Sequence, residues 1–132
     1  MFRVFVVLTI LTLSISGKKI DSKILHRWHE VIAPHQIHCI KESNVQKEDI
    51  DKLVNLGEIS DTPSHGCYLK CLFEKLHFFD VNKQFDKKVI TSTFFYMDEK
   101  LTDKCTRESA DEKDLCRKSY LISNCVAVTN AV

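Results

Sequence analysis

The 132-residue chain carries 19 basic and 18 acidic side chains, six cysteines, three glycines and two prolines, and 44% of it is hydrophobic. A formal charge of +1 leaves no electrostatic footprint for nucleic acid and no polybasic patch for a membrane surface. So few glycines and prolines supply too few turns for a sandwich of short strands, which points to an all-α fold.

The first element in chain order is MFRVFVVLTILTLSISG: one Arg, an apolar run from Val4 to Leu13, then small residues. That is the layout of a secretory signal peptide, and its apolar run is too short to span a bilayer as a mature helix. The expected organisation is a signal peptide over residues 1–17 and a single exported domain over 18–132, with no stable membrane insertion. Removing residues 1–17 takes away Arg3 and no acid, leaving 18 basic against 18 acidic residues and a net charge of zero. No Asn-x-Ser/Thr acceptor for glycosylation is present.

Residues 20–43 place Ile20, Ile24, Leu25, Trp28, Ile32, Ile37 and Ile40 at helical spacing, with Pro34 positioned to kink or split the helix. In NVQKEDIDKLVNLGE, Val45 and Ile50 suit a hydrophobic staple, acids fill the first turn and Gly57 marks the stop. Thr62-Pro63 combines an N-cap hydroxyl with a first-turn Pro and opens a third helix running to about His77. DVNKQ is a turn, after which Asp86 caps a short Thr-rich helix holding Val89, Ile90 and Phe94. Asp98 caps a fifth helix around Leu101 and Cys105, and a sixth spans about Asp111 to Val128.

All six cysteines lie beyond the signal segment, and an even count in a secreted chain of this size implies three disulfides. Zinc sites favour C-x2-C pairs and thioredoxin-like redox chemistry requires C-x-x-C; neither spacing occurs. On a helix, Cys67 and Cys71 project from one face without converging, so each must reach a different partner. Cys116 and Cys125, about 13 Å apart along one helix, cannot pair either. Of the 15 ways to pair six cysteines, these exclusions leave ten.

At about 100° per residue, Leu69, Leu72 and Leu76 line up opposite Cys67 and Cys71, beside a polar strip of Lys70, Glu74 and His77. Such a stripe is ordinary packed core in most proteins, or the wall of a cavity. On the sixth helix Cys116 and Cys125 fall about 180° apart, so it is clamped on opposite sides and central. Leu115, Ile122 and Val126 form its apolar stripe, edged by Ser119 and Ser123. Those hydroxyls either bond the carbonyl four residues earlier or offer a hydrogen bond into an apolar cavity.

Enzymatic signatures are missing: there is no G-x-S-x-G, no H-E-x-x-H and no glycine-rich phosphate loop. His26, His29, His35 and His38 cluster in the first helix, with His65 and His77 flanking the third. His26 and His29 share metal-ligand spacing, but without a nearby carboxylate constellation a solvated helix face is the expectation, with no metal, cofactor or catalytic residue.

The spacing Cys39-x27-Cys67-x3-Cys71-x33-Cys105-x10-Cys116-x8-Cys125 resembles that of the insect odorant-binding proteins of the pheromone-binding/general-odorant-binding type. GCYLKCLFEKL and CRKSYLISNC look like that family's third and sixth helices, and some short hymenopteran members look especially similar. The gap before Cys105 is short for the family, which suggests a trimmed fourth helix or loop. The resemblance implies a compact bundle of about six helices around an apolar cavity, with disulfides Cys39–Cys71, Cys67–Cys116 and Cys105–Cys125. It implies a secreted carrier of odorants, pheromones or similar small hydrophobic ligands through extracellular fluid such as sensillar lymph. An olfactory receptor complex or a homodimer is left open as a further partner, and a gland, venom or salivary role on the same scaffold is the alternative. With the stripes above, Leu69, Leu72, Leu76, Phe94, Ser119, Ile122, Ser123 and Val126 are the expected ligand-binding residues.

Overall fold

The computed structural model describes residues 19–132; the expected signal peptide over 1–17 lies outside them. Among the described residues there are seven α-helices: α1 (Ser22–Ile32), α2 (Gln36–Ser43), α3 (Lys47–Leu56), α4 (Pro63–Lys75), α5 (Lys87–Thr93), α6 (Glu99–Ser109) and α7 (Leu115–Asn130). The first expected helix is split into α1 and α2 by a 3-10 turn over Ala33–His35. Pro34 sits at the start of that turn, where its missing N–H costs least. Among the described residues the only β-type pairings are two isolated bridges, Ile20 with Ala131 and Phe79 with Phe85.

Short polar side chains set most of the helix starts. Asp21, Thr62, Asp86, Asp98 and Asp114 each accept a backbone N–H from the first turn of α1, α4, α5, α6 and α7. α3 has no side-chain cap, but Val45 and Ile50 are both buried where a hydrophobic staple would place them. Its end is fixed by Gly57, which adopts φ +68°. A Cβ there would be strained by that backbone and, at 2.4 Å from Ile20 Cδ1, would force the Ile20 side chain to shift.

The boundaries of α4 and α7 depart from the sequence expectation. α4 stops at Lys75, because His77 takes the left-handed conformation with φ +60°. The Phe78 N–H then donates to the Phe73 carbonyl and the His77 N–H to that of Glu74, while the Phe73 and Phe78 rings meet at 5.3 Å. This is a Schellman ending with its hydrophobic contact, built on a residue that carries no glycine signal. α7 begins at Leu115, not near Asp111, since the Asp114 carboxylate accepts from the Cys116 and Arg117 amides. At its far end α7 continues to Asn130, and Val132 and Lys19 exchange backbone hydrogen bonds at 2.9 and 3.0 Å.

Three disulfides tie the bundle: Cys39–Cys71 joins α2 to α4, Cys67–Cys116 joins α4 to α7, and Cys105–Cys125 joins α6 to α7. The two cysteines of α4 reach different partners, and α7 is clamped on both sides. Among the described residues, α4 against α7 is the most extensive helix contact.

The core comes in two parts. One gathers Ile24, Trp28, Ile32, Ile50, Leu53, Tyr68, Leu69 and Leu72 from α1, α3 and α4. The other gathers Phe78, Phe85, Ile90, Met97, Cys105, Ile122 and Cys125 around α5, α6 and α7. Phe73, Phe94, Tyr96 and Val126 pack against both parts and so mark the seam between them. A buried lysine braces the second part: Lys118 Nζ donates to Gln84 Oε1 at 2.7 Å and to the Ala110 carbonyl at 3.3 Å, near the Phe85 ring.

Candidate ligand cavity

At that seam lies a cavity of about 680 Å³ of non-atom space, part of it open to solvent. All four seam residues are in its wall, together with Trp28, Val31, Ile32, Leu53, Ile59, Leu69, Leu72, Leu76, Phe78, Ile90, Met97, Ile122 and Ser123. The wall is almost wholly aliphatic and aromatic, the kind of lining small-molecule pockets have.

Helix periodicity explains how the wall is presented. Leu69, Leu72 and Leu76 stand on one face of α4, away from the cysteines that pull its other face toward α2 and α7. α7 presents Ile122, Ser123 and Val126 from the opposite side. Phe73, Phe78, Phe94 and Tyr96 run as consecutive ring contacts with centroids 5.3, 5.7 and 5.5 Å apart, a spacing that favours aromatic pairing.

Of the residues expected from sequence, Leu69, Leu72, Leu76, Phe94, Ile122, Ser123 and Val126 are brought together in this wall. Ser119 is not. It is fully buried outside the lining, with its hydroxyl donating to the Leu115 carbonyl at 2.7 Å. Ser123 makes the equivalent bond to the Ser119 carbonyl at 2.7 Å while still lining the cavity. Trp28, Ile32, Leu53, Tyr96 and Met97 also line the wall without being expected there from sequence, although Trp28 and Ile32 are visible as apolar positions of a helix. Ile59, in the link between α3 and α4, also borders an outer groove with Leu56, Val128 and Ala131.

Polar groups on the wall are few. Trp28 Nε1 donates a hydrogen bond to the Tyr96 hydroxyl. Burial holds the Tyr96 phenol above its ordinary range, outweighing the Trp28 hydrogen bond and the nearby Arg27 charge. Arg27 itself donates to the Thr93 carbonyl and to Glu30, each at 3.0 Å.

The histidines divide differently from their clustering in sequence. His26, His29 and His38 are exposed and His35 half-buried, with His26 2.9 Å from Glu30 and His38 3.3 Å from Glu42. His38, Glu42 and Cys71 come close together, but the Cys71 sulfur is consumed by its bond to Cys39 and offers no thiolate.

The buried histidine is His65, fully enclosed beside Tyr68 with both ring nitrogens unpartnered. Burial pushes its pKa below the ordinary histidine value, opposed by the Asp49 charge. Above pH 6.5 the ring is neutral in folded and unfolded chains alike. As pH falls below 6.5, the unfolded chain takes up a proton that the folded one refuses, so stability is lost. Urea midpoints of wild type and His65→Leu should therefore diverge below about pH 6.5, with wild type losing more. Parallel curves down to pH 5 would show that the ring titrates normally in the fold.

The family model for PBP/GOBP proteins matches residues 22–128. A relative, general odorant-binding protein 99b of Drosophila melanogaster, is 24% identical over 111 residues, covering 77% of this chain and 74% of its own. Odorant binding protein 5 of Apis mellifera superposes with a TM-score of 0.57 at 19% identity, over 80% of this chain and 91% of its own. A fatty acid binding protein, OBP56a from the oral disk of the blowfly Phormia regina, gives 0.57 at 22% identity, over 79% and 93%. With the family pattern spanning α1 to α7 and the same fold in both solved structures, the chain belongs to the PBP/GOBP family of insect odorant-binding proteins.

Proposed function

We propose that the protein is a secreted carrier that takes a small hydrophobic molecule into the seam cavity and moves it through aqueous extracellular fluid. The observation that carries this reading is the cavity itself, an apolar space between two cores whose bordering helices are cross-linked by disulfides. A domain this small has little core to spare, and bridges worth ~2–4 kcal/mol each offset the packing forgone around a void. Ligand affinity comes from apolar surface removed from water, at roughly 25 cal/mol per Å². Residues 1–17 act as the export signal and 18–132 as the exported domain in this reading, which invokes no catalysis. Leu69, Leu72, Leu76, Phe94, Ile122, Ser123 and Val126 contact the ligand.

Family membership supports an odorant or pheromone as cargo, and the fatty acid named for the blowfly protein supports a longer lipophile. Antennal enrichment of the transcript is expected for the first, and gland or mouthpart enrichment assigns the same cavity to a non-olfactory role. The carrier reading is tested by uptake of an apolar fluorescent probe in wild type and Leu76→Glu. Leu76 is half-buried at the end of α4, so the variant should keep its helical circular dichroism. A carboxylate on the wall should weaken uptake at least about tenfold. Full probe affinity in the folded variant would remove Leu76 from the binding surface, and no uptake by wild type would remove the carrier function.

A further inference from the structure

The polar chemistry of the cavity is sparse enough to follow proton by proton. Only Trp28, Tyr96 and Ser123 among the lining residues carry a side-chain N–H or O–H. Ser123 commits its hydroxyl proton to the Ser119 carbonyl at 2.7 Å and keeps only lone pairs. Trp28 commits its indole proton to the Tyr96 oxygen. An indole N–H has no lone pair to accept with, so Tyr96 is the acceptor in that pair and retains its own proton. Among the described residues none accepts it. The wall therefore holds one uncommitted donor, on a ring fixed between Trp28 and the Phe94 ring 5.5 Å away.

We propose, building on the carrier reading, that the Tyr96 hydroxyl is the polar anchor of the cavity, donating its proton to a neutral oxygen acceptor, such as a ketone, aldehyde or ester carbonyl, on an otherwise hydrocarbon ligand. Three features support the neutral class. The phenol stays protonated at every physiological pH, since burial raises its pKa further. Accepting from Trp28 polarises the O–H and strengthens its donation to a ligand. An ionised carboxylate in the same place would gain one donor for the loss of its hydration, because Arg27, which donates to Thr93 and Glu30, is not among the lining residues. A neutral carbonyl loses far less on leaving water and needs only one donor.

The test is probe displacement by an alkane, a methyl ketone and a carboxylic acid of equal chain length, at pH 7, in wild type and Tyr96→Phe. The ketone-over-alkane affinity ratio should be about tenfold smaller in Tyr96→Phe than in wild type, equivalent to about 1.4 kcal/mol for one hydrogen bond. An unchanged ratio, or an acid bound more tightly than the ketone by wild type, would overturn the anchor while probe uptake kept the carrier reading intact. Wild type that takes up neither probe nor any of the three ligands would overturn both. Because Tyr96→Phe strands the Trp28 N–H and its folding can suffer, wild type is also loaded with a carbonyl-13C ketone. Its infrared carbonyl band should move to lower wavenumber than in liquid hydrocarbon, and an unshifted band overturns the anchor without any variant.

Discussion

Replacing Cys67 and Cys116 together by serine should lower the unfolding free energy by about 4 kcal/mol, because the bridge closes a loop of sequence separation 49. The same relation gives slightly less for Cys39–Cys71, with separation 32, and least for Cys105–Cys125, with separation 20. The Cys67–Cys116 pair isolates the chain-entropy effect best. Both of its residues are half-buried, so serine is hydrated there, whereas Cys39, Cys71, Cys105 and Cys125 are all buried. Replacing one of those buried pairs also leaves unsatisfied hydroxyls in the core. A loss of about 4 kcal/mol is a large share of the ~5–15 kcal/mol that typically separates folded from unfolded domains. Guanidinium titration should show a lower midpoint together with a steeper m-value, since the unlinked chain exposes more surface when unfolded. A midpoint unchanged from wild type would mean that the bridge adds nothing beyond the packing of α4 on α7.

Features local to one segment of chain were legible before the structure. Thr62, Asp86 and Asp98 cap helices as their positions imply, and Gly57 stops α3 in the left-handed conformation that glycine adopts without strain. The face of α4 that carries Leu69, Leu72 and Leu76 follows from angle alone, as does the two-sided clamping of α7. His77 was not legible as a helix terminator, because a left-handed histidine leaves no compositional mark and tertiary packing of Phe73 on Phe78 selects it. The same holds for Lys118. In CRKSYLISNC it looks like a solvated charge, yet Gln84 and the Ala110 carbonyl hold its ammonium inside the fold.

The cavity lay half in view for a related reason. A helix stripe says which residues share a face, but not which distant face meets it. Trp28, Leu53 and Tyr96 belong to α1, α3 and the link between α5 and α6, and only the folded topology sets them around one space. Ser119 and Ser123 could not be separated by sequence, being one turn apart with the same backbone bond; their rotation about α7 buries one and leaves the other on the wall.

Gly66→Ala should also destabilise the protein, by about 1–3 kcal/mol, although alanine is the better helix former by ~1 kcal/mol at an open site. Gly66 lies in α4 where α7 comes nearest, and a Cβ there would stand 2.7 Å from the Cys116 carbonyl oxygen and 3.2 Å from its carbon. The obstacle is backbone, so no rotamer change relieves it. Nor can α4 readily slide away, since the adjoining Cys67–Cys116 bridge holds the two Cα atoms 4.3 Å apart. Packing and cross-link therefore oppose each other in the variant, and the two changes should not be additive. In a Cys67→Ser/Cys116→Ser background α4 is free to shift, and Gly66→Ala should cost less there than in the bridged protein. A double-mutant cycle on guanidinium midpoints measures that difference. If Gly66→Ala stabilises the bridged protein, as it would on a solvent-facing helix, then α4 and α7 do not meet backbone to backbone and the close approach at the heart of the bundle is wrong.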